Sequence, residues 1–340
     1  MKKWYEKTTE NGDVVISTRI RLARNLKNLP FKDRITPEQQ QLLNESVKNA
    51  LEQANFGDNS FEFLHLSELS DLEQLALVEQ HLVSHNFIEN PENKTLALSQ
   101  DESVSIMVNE EDHIRIQSIT GGLDLAGAFE TCNRIDDVLD ELLDYAFDPK
   151  LGYLTVCPTN LGTGLRASVM LHLPALERSQ MIPQLMKTVS RLGLTIRGSY
   201  GEGSAVVGAT YQISNQVTLG LSEETAIENL QNVVLQVIES ERAARKEILQ
   251  NNIDVIDAIC RSYGVLRHAR LMSSEEFYEQ LSNLRLGVSE HIIERVTIEK
   301  LNFLLNSVGT ATLCVGANQR LNPMERDFNR AKLIRETLKE

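Results

Sequence analysis

Residues 157–166 read Cys157-Pro158-Thr159-Asn160-Leu161-Gly162-Thr163-Gly164-Leu165-Arg166. The apolar stretch Leu151 to Val156 runs into them, and the alternating Ala167-Ser168-Val169-Met170-Leu171-His172-Leu173 follows. The pattern predicts strand–loop–strand, with two glycines that let the backbone turn sharply and approach a ligand. A thiol opens the loop, small polar groups fill it, and a guanidinium closes it. On this stretch alone, a hairpin with an incidental cysteine reads equally well. The rest of the chain decides between them.

Working outward, Asp13 to Asn25 reads as a strand. Val14, Ile16, Ile20 and Leu22 share one parity, and Ser17, Arg19, Arg21 and Ala23 the other. Arg19 and Arg21 therefore project from one face, roughly 7 Å apart at the usual strand rise. Guanidinia that close repel unless an anion lies between them, although for an isolated pair a solvated strand face is the better reading. Val104 to Val108 and Ile114 to Ile119 read as strands around the acid-rich turn Asn109-Glu110-Glu111-Asp112-His113, with Arg115 on the polar face. Leu194 to Arg197 is a further strand. It leads into Gly198-Ser199-Tyr200-Gly201-Glu202-Gly203-Ser204, a glycine-spaced loop holding one acid, and strands follow around Val206 to Ile213 and Val217 to Leu219.

Helices fill the intervals. Thr36-Pro37 opens one that runs to about Ala54, with Thr as cap and Pro in the first turn. After a short strand, Phe61 to Leu66, helical spacing covers Ser67 to His85, Leu123 to Tyr145, Leu176 to Leu192, and Ser222 to about Asn251. His81 and His85 stand four apart, but the Glu that HExxH requires is missing, so no metal site is expected there. Residues 253–340 show helical periodicity without strands. The boundary falls near residue 250, giving a region 13–250 that mixes strands and helices and a helical region 251–340.

Composition excludes several classes. With 340 residues, 41% hydrophobic and 24% charged, the chain is globular rather than disordered. No apolar run approaches the roughly 18 residues of a membrane span, and the charged start Met1-Lys2-Lys3-Trp4-Tyr5-Glu6-Lys7 lacks the apolar core of a signal peptide. Cys132, Cys157, Cys260 and Cys314 are widely spaced, so neither a zinc knuckle nor a disulfide frame is indicated and a cytoplasmic location is expected. The net charge of -14 argues against nucleic acid as a partner. A local basic pocket remains compatible with it.

Such a pocket is spelled out by five arginines on polar strand faces or loop edges, Arg19, Arg21, Arg115, Arg166 and Arg197. Converging guanidinia suit a polyphosphate, because each binds phosphate oxygens in a planar fork. Glu111 and Glu202 need a different occupant, a cation or a group losing a proton. ATP with magnesium and a basic acceptor would satisfy both halves. No Walker A loop occurs. Gly162-Thr163-Gly164-Leu165-Arg166-Ala167 matches GxGxxA, but a strand follows it where a dinucleotide fold requires a helix. Protein-kinase marks such as HRD and DFG are absent.

Ser17-Thr18-Arg19-Ile20-Arg21, Asn109-Glu110-Glu111-Asp112-His113-Ile114-Arg115, Cys157-Pro158-Thr159-Asn160-Leu161-Gly162-Thr163 through Arg166, and Arg197-Gly198-Ser199-Tyr200-Gly201-Glu202 resemble, in order, the motifs of the phosphagen (guanidino) kinases. The resemblance covers about residues 13–245. It implies an α+β fold, an antiparallel sheet flanked by helices, and phosphoryl transfer from ATP with Mg2+ to a guanidinium nitrogen. The nucleotide site it implies comprises Ser17, Thr18, Arg19, Ile20 and Arg21, then His81 and Arg115. Arg166, Ala167, Ser168, Val169 and Met170 continue it, and Arg197, Gly198, Ser199, Tyr200, Gly201 and Glu202 complete it. His81 has neighbours that differ from the family's. Glu111 and Glu202 would hold the acceptor guanidinium, one of them taking its proton, and Cys157 matches the family's reactive thiol.

Two departures bear on the substrate. Family members that act on small guanidino compounds carry a helical domain of roughly a hundred residues before the first arginine strand, whereas 16 residues precede Ser17 here. The chain also continues through residues 251–340, where Arg326-Asp327-Phe328-Asn329-Arg330-Ala331 matches the RDxxRA motif of the branch that phosphorylates arginine in proteins. An open site and a protein-borne acceptor are therefore expected. Arg326 and Arg330 share a helix face; with Asp327 they are expected to form a second, allosteric site for phosphoarginine. The resemblance further implies a zinc-binding activator protein, a substrate of the heat-shock repressor type, a Clp unfoldase–protease that degrades marked proteins under stress, and a homodimer or higher oligomer. The alternatives are a kinase of free arginine and a non-catalytic adaptor that binds phosphoarginine.

Overall fold

β1 (Val15–Arg24) is the spine of an antiparallel sheet whose two faces differ in chemistry. The computed structural model describes all residues except Met1, Asp33, Asn55, 57–59, 199–206, Asn251 and Glu340. The further strands are β2 (Phe61–His65), β3 (Thr95–Ser99), β4 (Val104–Val108), β5 (Ile114–Gly121), β6 (Phe147–Asp148), β7 (Gly152–Tyr153), β8 (Leu165–His172), β9 (Leu194–Gly198) and β10 (Thr210–Asn215). Eight of them hydrogen-bond in the order β2-β3-β4-β5-β1-β8-β10-β9, and β6 and β7 form a separate ribbon. Every pair is antiparallel.

The helices are α1 (Pro37–Gln53), α2 (Asp71–Glu79), α3 (His85–Ile88), α4 (Leu125–Leu142), α5 (Pro174–Arg178), α6 (Ile182–Arg191) and α7 (Glu223–Gln250). α8 (Ile253–His268), α9 (Ser274–Ser289), α10 (Ile298–Ser307), α11 (Thr310–Gly316) and α12 (Pro323–Thr337) build the helical region. The apolar parity of the strands, Ile20 and Leu22, Ile114 and Ile116, Leu165 to Leu171, and Ile213, forms one buried core with residues of α1, α4, α6 and α7. Its burial away from water is the main force holding the sheet to those helices. The opposite face carries the arginines. α8 to α12 keep separate cores.

Several expected boundaries shift for local reasons. A bulge between Val15 and Ser17 takes Ile16 out of step, so Val14 and Val15 join the core with Ile20 and Leu22. The helix expected over Ser67 to His85 stops at Glu79, where Leu82 N–H bonds back to Leu77 O and His81 takes φ +62. This is a glycine-like helix stop built with histidine, and it removes His81 from any shared helix face with His85. The helix expected over Leu176 to Leu192 is two, parted at Gln180 (φ +56) before Pro183, which is tolerated in the first turn of α6 but not in the interior of one continuous helix. Leu151 to Val156 yields only the short β7. Val217 to Leu219 lies outside the strands, and β10 starts at Thr210, with Val206 outside the described residues.

Several polar contacts join the halves, among them Arg178 to Asn283 Oδ1 (2.7 Å) and the Ser289 hydroxyl to Asp13 O (3.1 Å). Arg285 of α9 is buried and donates to Asn302 Oδ1 (2.7 Å) and Gly12 O (2.9 Å). At the end of α2, the Glu79 carboxylate accepts from Ala311 N (3.0 Å), Thr312 N (2.9 Å) and the Thr312 hydroxyl (2.8 Å), capping the first turn of α11.

Candidate active site

The polar sheet face assembles the site by register alone. Arg21 lies directly opposite Arg166 on β8, Arg19 opposite Ser168, and Ala23 opposite Arg115 on β5. Arg197 on β9 faces Gln212 on β10, which in turn faces Met170. Like charges opposite one another destabilise a sheet, and this face gathers them. Burial first, then Arg166 and Arg115, pushes the Arg19 guanidinium down to about 10. Burial, Arg19, Arg115 and Arg166 hold Arg21 well below its ordinary value, and its Nε is sealed from solvent with no hydrogen-bond partner among the described residues. Such a cluster is complementary to a polyanion.

A cavity of about 260 Å³ lies over it. Arg19, Arg21, Arg166, Arg197, Gly198 and Gln212 line one side, and Val78, His81, Val83, Ser84 and His85 the other. Arg19 donates to Gln212 Oε1 (2.8 Å). Burial and then Arg19 push His81 down to about 4, so its ring is neutral at neutral pH and adds no further cation. Among the described residues no carboxylate lines this cavity.

A second cavity of about 120 Å³ adjoins it, and Arg21 and Arg166 form the wall they share. Its other lining residues include Glu111, Arg115, Cys157, Thr159, Asn160 and Gly164. At a water's share of about 30 Å³ it has room for about four such groups, enough for a guanidinium and far too little for a nucleotide. Cys157 Sγ lies 3.0 Å from the Thr159 hydroxyl. The loop that carries them needs its glycines. A Cβ on Gly164 (φ +64) would stand 2.6 Å from Ala23 O, and one on Gly162 (φ +111) 2.3 Å from Thr218 O.

The acid-rich turn places two glutamates with opposite behaviour. Glu110 is buried, but Arg115 (2.9 Å), the Ser84 hydroxyl (2.6 Å) and the Glu111 N–H outweigh the burial and hold its carboxyl below the ordinary value. Glu111 is half-buried and weakly paired to Arg115 (3.3 Å). Burial, with Glu110 and Asp112 nearby, raises its carboxyl above the ordinary value despite that arginine. One acid is held ionised against Arg115; the other binds a proton more readily than an ordinary glutamate. Asp112 fastens the turn by accepting from Asn25 Nδ2 (2.6 Å) and Val156 N (2.8 Å).

The structure thus unites Arg19, Arg21, Arg115, Arg166, Arg197, His81, Gly198, Glu111 and Cys157. Ser17, Ser168 and Met170 line a small void beside Arg19. Thr18, Ile20, Ala167 and Val169 are buried strand residues, with the Thr18 hydroxyl donating to Gly122 O (2.7 Å). Ser199, Tyr200, Gly201 and Glu202 lie outside the described residues. Sequence reading missed Gln212, although Tyr211 and Ile213 in the core fix its parity on the site face. It also gave Glu110 no role; a turn residue has no periodicity to reveal one.

On α12, Arg330 is buried. It donates from Nε to Val308 O (3.1 Å) and from one terminal nitrogen to Met272 O (2.7 Å) and Asp327 Oδ1 (2.8 Å). It braces the helix and holds Asp327, while Arg326 stays partly exposed.

A polyanion cavity and a guanidinium-sized, carboxylate-bearing cavity that share two arginines define a phosphotransferase acting on a nitrogen acceptor. Residues 42–244 match the model for the C-terminal catalytic domain of ATP:guanido phosphotransferases, and the chain belongs to that family. Residues 252–340 match the model described as the protein-arginine kinase McsB C-terminal domain. Protein-arginine kinase of Clostridium acetobutylicum is 43% identical over 340 residues, covering 100% of both chains. Its counterpart from Halalkalibacterium halodurans is 44% identical over 337 residues, 99% of this chain and 95% of that one. Among solved structures, a lombricine kinase aligns with TM-score 0.63 at 28% identity, over 74% of this chain and 72% of its own. A duplicated taurocyamine kinase from Schistosoma mansoni, at 24% identity, TM-score 0.64, and 78% and 41% coverage, shares the fold. Among the described residues, no helix is long and apolar enough to cross a membrane.

Proposed function

We propose that this kinase transfers the γ-phosphoryl group of ATP to arginine side chains in proteins. The observation that carries the reading is the wall formed by Arg21 and Arg166 between the two cavities. Phosphoryl transfer demands in-line positioning and neutralisation of oxygens more than covalent help. The arginines supply both from a fixed sheet. An acceptor guanidinium keeps its proton up to a pKa above about 12, so its nitrogen lone pair is released only as a base takes the proton. Glu111, with its raised carboxyl, is placed to do so, and Cys157 to orient the guanidinium. Magnesium would travel with the nucleotide; among the described residues no three His, Cys, Asp or Glu gather to hold a metal alone.

The relatives named protein-arginine kinase support the choice of acceptor. Labelled ATP offered with free arginine and, separately, with a folded arginine-bearing protein tests it. We expect acid-labile label on the protein and little on free arginine; label on free arginine alone would indicate a small-molecule kinase, and label on neither a non-catalytic adaptor. By the same reading the proteins marked are of the heat-shock repressor type and pass to a Clp unfoldase–protease under stress. A zinc-binding activator and self-association belong to this proposal too.

A second, phosphoarginine-binding site on α12 is part of it, with Arg326 for the phosphate and Asp327 for the guanidinium. Arg326→Ala combined with Asp327→Ala should cut binding of a phosphoarginine peptide to a Glu111→Gln protein at least tenfold by fluorescence polarisation, each charged contact contributing on the order of 1.5–3 kcal/mol. Unchanged binding would remove the site from the proposal.

A further inference from the structure

The Cys157–Gly164 loop has two sides, and only one faces the acceptor cavity. On its other side lies a cavity of about 360 Å³ whose lining includes Gly162 and Thr163 of the loop itself. Phe147, Leu151, Leu219 and Leu221, which are 56%, 43%, 48% and 39% exposed, line it too. Four large exposed apolar side chains round one cavity are a patch, not scattered surface residues, and such patches mark interaction sites. The cavity is built rather than loose. The Thr218 hydroxyl bonds to Thr159 O (3.0 Å) and Leu161 O (2.8 Å), and Thr163 N–H bonds to Thr218 O (3.1 Å). These bonds fix the apolar segment 217–221 against the loop that walls the acceptor site. Glu223, Glu224 and Lys150 line the cavity, and behind it Arg24, held by Asp136 (2.6 Å), also reaches Glu223 (3.4 Å), so among these described residues three acids face two cations. The rim therefore favours a positively charged visitor.

We propose that this cavity receives an apolar side chain of the protein substrate, a few residues from the acceptor arginine. The inference rests on the protein-substrate reading above and adds to it a flanking specificity. The occupant follows from continuity. A substrate chain with its arginine in the smaller cavity needs to cross only one thickness of loop to reach this one. Two inter-chain spacings of about 4.8 Å, at about 3.4 Å per extended residue, put the apolar residue about three positions from the arginine. The acidic rim complements an arginine-bearing segment.

The test uses the full chain and peptides that contain one arginine and differ only in Leu or Ser, scanned from two to four residues on either side of it. At one of these positions the Leu peptide is expected to have a kcat/KM about tenfold above its Ser partner, the order of discrimination an apolar pocket gives. Phe147→Ser with Leu219→Ser, both exposed and outside the catalytic machinery, should erase that difference and leave the Ser-peptide rate and ATP affinity unchanged. Equal rates at every position in the native chain, or a difference that survives in the double variant, overturns the inference while leaving protein phosphorylation standing. Transfer to free arginine but to no peptide or protein sinks the protein-substrate reading, and this inference with it. A dimer-to-monomer change of the double variant in sedimentation velocity, with peptide selectivity kept, assigns the patch to a second copy of the chain and also overturns it.

Discussion

Glu111→Gln is expected to bind ATP as the native protein does and to lose phosphoryl transfer by about 10²–10⁴-fold, the range for a positioned general base. Glutamine keeps the shape and one acceptor oxygen but cannot take the proton that frees the guanidinium lone pair. Nucleotide binding survives because Arg115 remains held by Glu110 at 2.9 Å, and because the larger cavity contains no part of Glu111. Titration calorimetry with ATP beside single-turnover transfer separates the two quantities. A parallel loss of ATP affinity would move Glu111 to the nucleotide. The sign of the pH effect also follows. Burial, with Glu110 and Asp112, raises the Glu111 carboxyl, so the base form is lost as pH falls through a value above the ordinary glutamate range near 4.3. The acid limb of kcat/KM for the acceptor, which reports the free enzyme, should lie above that range and disappear in the glutamine variant.

Arg21→Ala is expected to reduce transfer by about 10³-fold or more, as loss of an arginine at a transferring phosphoryl group does, and to make the nucleotide-free protein more stable. The second half follows from the crowding of the sheet face. Arg21 stands opposite Arg166 and two residues from Arg19, and its guanidinium is held well below its ordinary value by burial and by those neighbours. A cation with a depressed folded-state value destabilises the fold at neutral pH, so its removal raises the midpoint of thermal unfolding by about 2–5 °C. Saturating ATP should reverse the order, since the native protein gains binding energy that the variant loses. Thermal scans with and without nucleotide read both effects. A lower midpoint for the nucleotide-free variant would show that Arg21 packs the fold rather than straining it.

Much of this site was written in strand parity. The alternation through Arg19 and Arg21, and again through Arg115, put each guanidinium on a polar face, and register then brought the faces together. Parity fails where burial is complete. β3, Thr95 to Ser99, is buried on both faces, with Leu96 and Leu98 in one core and Ala97 in another, so it has no solvated face to mark it and no strand was read there. It fails again where a turn uses an unexpected residue. The α2 stop borrows a left-handed conformation from His81, and without a glycine to mark it the helical pattern read straight through to His85. Long-range pairing is illegible for a different reason. Nothing in the spacing of Arg330 foretells that its donors go to Val308 O and Met272 O, because those carbonyls come from distant segments.

The contact between Glu79 and α11 bears on how the chain can be inherited. The two family matches end and begin at residues 244 and 252, so by sequence the halves are separable modules. Val78 and His81, however, wall the larger cavity, and the carboxylate of Glu79, which lies between them at the end of α2, closes on the first turn of α11. A Cβ on Gly309 would come within 2.2 Å of that carboxylate, so the fit is close on both sides. Exchange of C-terminal regions between relatives would then graft a foreign surface onto one wall of the larger cavity. The end of α2 and the Gly309–Thr312 segment should travel together through descent as one heritable joint across the domain seam.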